Sequence, residues 1–135
     1  MINKLPNCFY RLSVMALIFK KEKVLLVKEV DGRWSLPGGG LKVGESFLDG
    51  LSRELKEELS VKIIEMSPQP LYVWTFVENK NNDLIPKITL VFKVEIDSFN
   101  FKNDPKESVE INFFSKPEMQ NLNLHLNTQE LIKFL

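Results

Sequence analysis

The sequence predicts an α/β fold, a mixed β-sheet with helices on its faces. Strand-like runs outnumber helical ones, and two of them, Leu71–Val77 and Ile88–Ile96, alternate with the period of two expected on a pleated surface. The one strong helical stretch, opened by Ser46 and running to Leu59, directly follows a short strand and a glycine-rich loop, Pro37-Gly38-Gly39-Gly40. A strand feeding an amphipathic helix belongs to layered α/β architecture.

In chain order, Leu12–Phe19 and Val24–Lys28 are apolar, β-branched runs on either side of a polar turn at Lys20–Lys23, which reads as a hairpin. Asp31-Gly32 makes the next turn, and Arg33–Leu36 is a short strand leading into the glycine loop. Trp34 is either a structural aromatic beneath the site or a wall of the substrate pocket. Ser46 is placed to cap the helix, with Asp49 three residues on in a capping-box-like start, and only Gly50 interrupts good helix formers before Leu59. Val61–Met66 reads as a strand, and Pro68 and Pro70 bound a turn. Tyr72, Trp74 and Phe76 share one face of Leu71–Val77, which is either core beneath a helix or a platform for stacking a nucleobase. Polar Glu78–Pro86 predicts a hairpin with a long loop. Asp97–Ser108 is irregular, Val109–Phe114 is a last strand, and Lys116–Gln120 forms a helical turn after Ser115. Asn127 or Thr128 then caps a terminal helix that packs through Leu131, Ile132, Phe134 and Leu135.

Length and composition exclude several classes. A chain of 135 residues suits a single domain that buries about two-thirds of its unfolded surface. Lys and Arg number 18, as do Asp and Glu, so no bulk charge draws the protein to nucleic acid or to a membrane surface. The single cysteine, Cys8, cannot form an intramolecular disulfide and fits a reducing, cytoplasmic setting as a small buried or edge residue. One histidine, His125, excludes a His-rich zinc site and disfavours a Ser-His-Asp triad. Leu12–Phe19 lacks a cleavage site and is far too short to span a membrane.

The helix concentrates the chemistry. At 100° per residue Glu54, Glu57 and Glu58 fall within one arc, beside a stripe of Leu48, Leu51, Leu55 and Leu59, with Phe47 at the edge. Like charges at i,i+3 and i,i+4 oppose the helix by roughly 0.2–0.5 kcal/mol per pair. Mg²⁺ would turn that repulsion into ligation, since it takes carboxylate oxygens together with substrate phosphates; otherwise the face is an ordinary solvated Glu/Lys surface. Gly50 falls on the acidic side one turn earlier, where a missing side chain leaves room for a substrate.

The wider spacing decides between these readings. Gly39, five residues, Glu45, seven residues, Arg53-Glu54-Leu55 and then Glu57-Glu58 and Val61 resemble the box of the Nudix hydrolases. Six positions each demanding one identity match by chance on the order of 10⁻⁷ per starting point. The departure is Ser60, where the family has the glycine that ends the helix in a left-handed conformation. The resemblance runs from about Val14 to Phe114 and implies an α/β/α sandwich around a curved mixed sheet.

It also implies roles. Glu54 and Glu58 would be the main ligands of Mg²⁺ or Mn²⁺, with Glu57 in the cluster and the carbonyl of Gly38 completing the set. Glu45 and Arg53 resemble the family's ion pair between loop and helix, and Arg53 would also offset the acid. The general base would be Glu107 on the loop before the last strand, with Glu110 or a box glutamate, Glu57, as alternatives. The activity implied is metal-dependent hydrolysis of the diphosphate linkage in a small nucleotide, a nucleoside diphosphate joined to another group. Phe76, Val77 and Glu78 stand where ADP-ribose enzymes carry proline and diadenosine-polyphosphate enzymes tyrosine, leaving a (d)NTP or nucleotide sugar. Asn121, Asn123 and the Tyr72/Trp74 face are candidates for base recognition. Isopentenyl diphosphate isomerisation in this fold relies on a cysteine, and Cys8 lies well before the box. A catalytically silent nucleotide-binding module is the alternative, although such modules lose box glutamates that this chain keeps.

Overall fold

The computed structural model describes residues 7, 9–102 and 110–135, so the expectations for Cys8, Glu107 and Val109 lie outside the described residues. In chain order the strands are β1 (Arg11–Leu17), β2 (Phe19–Lys20), β3 (Lys23–Lys28), β4 (Trp34–Ser35), β5 (Gly38–Gly40), β6 (Ile63–Met66), β7 (Tyr72–Lys80), β8 (Asp83–Ile96) and β9 (Glu110–Phe114). The helices are α1 (Phe47–Leu59), α2 (Lys116–Met119) and α3 (Leu126–Gln129), followed by a 3-10 turn over Glu130–Phe134.

β1 sits inside a mixed sheet, antiparallel to β5 and parallel to β8, while β6 and β7 pair antiparallel with opposite halves of β8. A second, antiparallel sheet places β3 between β9 and the short strands β2 and β4. The continuous apolar character of β1 follows from this position, because an interior strand is covered on both faces. Val14 and Ala16 join Leu90 and Phe92 under Leu51, Leu55 and Leu59 of α1. Met15 and Leu17 face the other way, into a second core with Leu26, Trp34, Leu36, Trp74, Met119 and Leu131. The layers are therefore α1, the mixed sheet, and the second sheet with the C-terminal helices. Among the described residues no helix is long and apolar enough to cross a membrane.

Several expectations are corrected. Leu12–Phe19 is not one arm of a hairpin: the strand breaks at Ile18, and only Phe19 and Lys20 pair back onto Val24 and Lys23. The glycine loop is itself a strand, with Gly38, Gly39 and Gly40 opposite Met15, Val14 and Ser13. The long loop at Glu78–Pro86 is instead paired strand closed by Asn81 and Asn82, at φ 53° and 69°. Two successive left-handed residues match the twist of a tight hairpin, and asparagine tolerates that conformation. Pro86 is accommodated opposite Val77 because pairing with β1 begins only at Lys87. Leu48 is half exposed, at the rim of a cleft with Phe47, Met66 and Pro68.

The aromatic face of β7 resolves as core: Trp74 is buried and Phe134 stacks on Tyr72 at 4.8 Å. Trp34 is likewise structural, edge-on to Phe114 at 4.8 Å. The cap of α3 is His125, whose Nδ1 accepts from the Asn127 N–H at 3.0 Å. Burial holds this imidazole below its ordinary pKa, which keeps the accepting lone pair available.

α1 begins and ends as its sequence predicts. The Asp49 N–H donates to Ser46 Oγ at 3.1 Å, and Ser60 closes the helix at φ 58°, ψ 41° with its N–H on the Lys56 carbonyl. Left-handed backbone costs an L residue about 1–2 kcal/mol. Glycine's greater unfolded-state freedom, roughly 0.5–1 kcal/mol, offsets part of any gain. The Ser60 Oγ bond to the Lys102 carbonyl, at 3.1 Å on the exposed surface, offsets a little more. Ser60→Gly is expected to raise stability by about 0.5 kcal/mol, read as a higher urea midpoint at unchanged slope.

Candidate active site

The site forms where β5 runs beneath α1. Gly38 has φ 139°, and a Cβ there would strike the Val14 carbonyl and the Met15 backbone, so β5 lies against β1 more closely than any side chain allows. The Gly38 N–H, turned toward the helix, donates to Glu58 Oε1 at 2.8 Å. Glu58 is buried, at 5% exposure, so this bond matters to the fold as well as to the site.

Gly39 serves Glu54 in a different way. A Cβ on Gly39 would lie 2.6 Å from the Glu54 carboxyl carbon, so the bare backbone makes the space this carboxylate occupies. Arg53 then binds three segments: Nε donates to Glu45 Oε2 at 2.8 Å, Nη1 to Glu54 Oε1 at 2.7 Å, and Nη2 to the Gly40 carbonyl at 3.0 Å. Nη2 also reaches Glu45 Oε1 at 3.0 Å, giving the pair a bidentate fork. Glu57 lies 3.8 Å from Nη1 and is the most open of the three box carboxylates, at 43% side-chain exposure.

Sequence reasoning thus named the partners Glu45, Arg53, Glu54, Glu57, Glu58 and Gly38, and the fold brings them together. It missed the parts played by Gly39, by the Gly40 carbonyl and by the Lys42 N–H, which donates to Glu45 Oε1 at 2.7 Å. Their signal was the glycine run itself, since consecutive glycines mark close approach of backbone to other groups. Gly50 is corrected: a Cβ would collide with Leu41 Cδ1, so the loop preceding α1 fills the space assigned to a substrate. Glu107 lies outside the described residues, and Glu110 opens β9 opposite Lys28, exposed to solvent. Asn123 contributes its carbonyl to Trp34 N, at 2.8 Å.

Among the described residues no three or more acidic, His or Cys side chains stand close enough together to hold a metal ion by themselves. The donors nevertheless suit a hard divalent ion: an all-oxygen set on one helix face, beside a glycine strand that leaves no side chain in the way. Arg53 holds Glu54 and the Gly38 N–H holds Glu58, and each bond orients its carboxylate.

A NUDIX domain model matches residues 9–135, well beyond the stretch in which the sequence alone shows the resemblance. An uncharacterised Nudix hydrolase of Bacillus subtilis is 32% identical over 99% of this chain and 79% of its own length. An RNA pyrophosphohydrolase of Orientia tsutsugamushi is 32% identical over 90% of this chain and 70% of its own. A solved MutT Nudix hydrolase from Burkholderia pseudomallei has the same fold, with a TM-score of 0.79 at 20% identity over 93% of this chain and 97% of that one.

Glu45 offers a measurable consequence. Hydrogen bonds from Arg53, then from the Lys42 N–H, lower its pKa from 4.5 to about 2. A carboxylate held down in the folded state contributes fully above 4.5, and that contribution is lost as pH falls through about 2. Denaturation midpoints measured across this acid range should therefore fall less steeply for Glu45→Gln than for the unsubstituted protein.

Proposed function

Because the chain belongs to the Nudix family, hydrolases that act on pyrophosphate bonds, we propose that it cleaves the diphosphate linkage of a small nucleotide, a (d)NTP or nucleotide sugar, through the α1 carboxylates. Hydrolases of this family generally need divalent metal ions. The observation that supports the site is the packing of Glu54 and Glu58 against the bare backbone of Gly39 and Gly38, with Glu57 on the same helix face.

Glu54, Glu57, Glu58 and the Gly38 carbonyl would hold Mg²⁺ or Mn²⁺. When bound, such an ion neutralises phosphate oxygens and lowers the pKa of a water. Gly38 and Gly39 let the β5 backbone lie against β1 and against the Glu54 carboxylate. Arg53 holds Glu54 in place and, with Glu45, keeps the preceding loop against the helix. A carboxylate, Glu107 or the open Glu57, takes the proton from water as its oxygen attacks phosphorus. The bridging P–O bond breaks, giving a nucleoside monophosphate and a phosphorylated remainder.

A screen with Mg²⁺ or Mn²⁺ over (d)NTPs, nucleotide sugars, ADP-ribose, dinucleoside polyphosphates and 5′-triphosphorylated RNA tests the reading, with products separated by ion exchange. Turnover of a (d)NTP or nucleotide sugar is expected, with kcat/KM lowered by at least about 100-fold in Glu57→Gln and in Glu58→Gln. Preference for the RNA would replace the small-nucleotide assignment. Mn²⁺ binding without turnover of any substrate would identify a binding module. Activity surviving both substitutions would remove α1 from the chemistry.

A further inference from the structure

The strand that enters the site is held from the side by the C-terminal segment. Trp34 N donates to the Asn123 carbonyl and His125 N to the Trp34 carbonyl, both at 2.8 Å. One step further, Leu36 N donates to Thr128 Oγ1 at 3.0 Å. Thr128 and Leu36 are both fully buried. Pro37 has no N–H, and its carbonyl accepts from Ala16 N at 2.8 Å. The Leu36 N–H is therefore the last backbone donor before that of Gly38, which binds Glu58. The Thr128 hydroxyl has its proton committed to Asn127 Oδ1, at 2.7 Å, which turns its lone pairs toward Leu36. Trp74 Nε1 in turn fixes the segment by donating to the Asn127 carbonyl at 3.0 Å.

We propose that Thr128 is a positioning residue for the metal site, setting the path of Leu36-Pro37-Gly38 so that the Gly38 carbonyl and the Glu58 carboxylate stand in register. It touches neither metal nor substrate and acts through one buried N–H. The inference rests on the metal role given above to Gly38, Glu54, Glu57 and Glu58.

The experiment is Mn²⁺ binding, followed by electron paramagnetic resonance, on the full chain, with folding checked by circular dichroism. Thr128→Val keeps the shape and removes the acceptor; Mn²⁺ affinity should fall about tenfold, as when a group that orients a metal ligand is lost. Thr128→Ser restores the hydroxyl and should bind within about twofold of the unsubstituted protein. Ile132→Ala loosens the same segment without touching the hydrogen bond and should leave the affinity unchanged. Unaltered affinity in Thr128→Val, or an equal loss in Ile132→Ala, would overturn the inference. If valine does not fold, Asn127→Ala, which frees the hydroxyl to rotate, takes its place: a loss of affinity supports the role and unchanged affinity overturns it. Absence of Mn²⁺ binding in the unsubstituted protein would overturn the metal reading itself, and this inference with it.

Discussion

One guanidinium holds the site together. Arg53 reaches back to Glu45 in the loop, across to the Gly40 carbonyl at the end of β5, and along its own helix to Glu54. A planar fork of fixed donors can serve three acceptors at once, where a lysine would offer a single compact charge. These bonds also answer the electrostatic problem set by three carboxylates on one helix face. Glu54 is neutralised by Arg53, Glu58 accepts from the Gly38 N–H, and Glu57 faces solvent. With two of the three carboxylates faced by fixed donors, the repulsion along α1 is reduced.

The glycines of β5 act as the mould for this arrangement. Gly38 allows the strand to press on β1, Gly39 leaves space for a carboxylate, and near the start of α1 Gly50 lets Leu41 fold onto the helix. Each is required for a different contact. The two cores divide the work similarly: one fastens α1 to the mixed sheet, and the other fastens the second sheet and C-terminal helices to its opposite face.

The helix and its acid face were legible in sequence because their signals are local. Ser46, the leucines at 51, 55 and 59, and the spacing of Glu54, Glu57 and Glu58 all lie within one turn or two of their partners. The left-handed end at Ser60 keeps the conformation that the family resemblance implies for a glycine there. What escaped depends on distant neighbours. Nothing around Gly38–Gly40 announces a strand, since the partner that makes it one is β1. The break at Ile18 is invisible in an unbroken apolar run, because the strands on its two sides belong to different sheets whose partners lie elsewhere in the chain. Polar Glu78–Pro86 looked like a loop because an exposed hairpin end needs little apolar surface. His125 as a cap shows only when burial keeps its ring neutral.

The parallel pairing of β1 with β8 has a kinetic meaning. Arg11 meets Lys87 and Leu17 meets Lys93, so the centre of the mixed sheet joins segments separated by more than half of the chain. Loop-closure entropy opposes such a contact until local structure has shortened the effective distance. The β7–β8 hairpin, closed by its Asn81-Asn82 turn, is the piece that can form early and offer β8 as a template. β5 adds on the other side of β1, so the glycine strand joins β8 only through β1. A chain in which β1 has yet to find β8 leaves the apolar faces of both strands uncovered, and such chains are prone to associate.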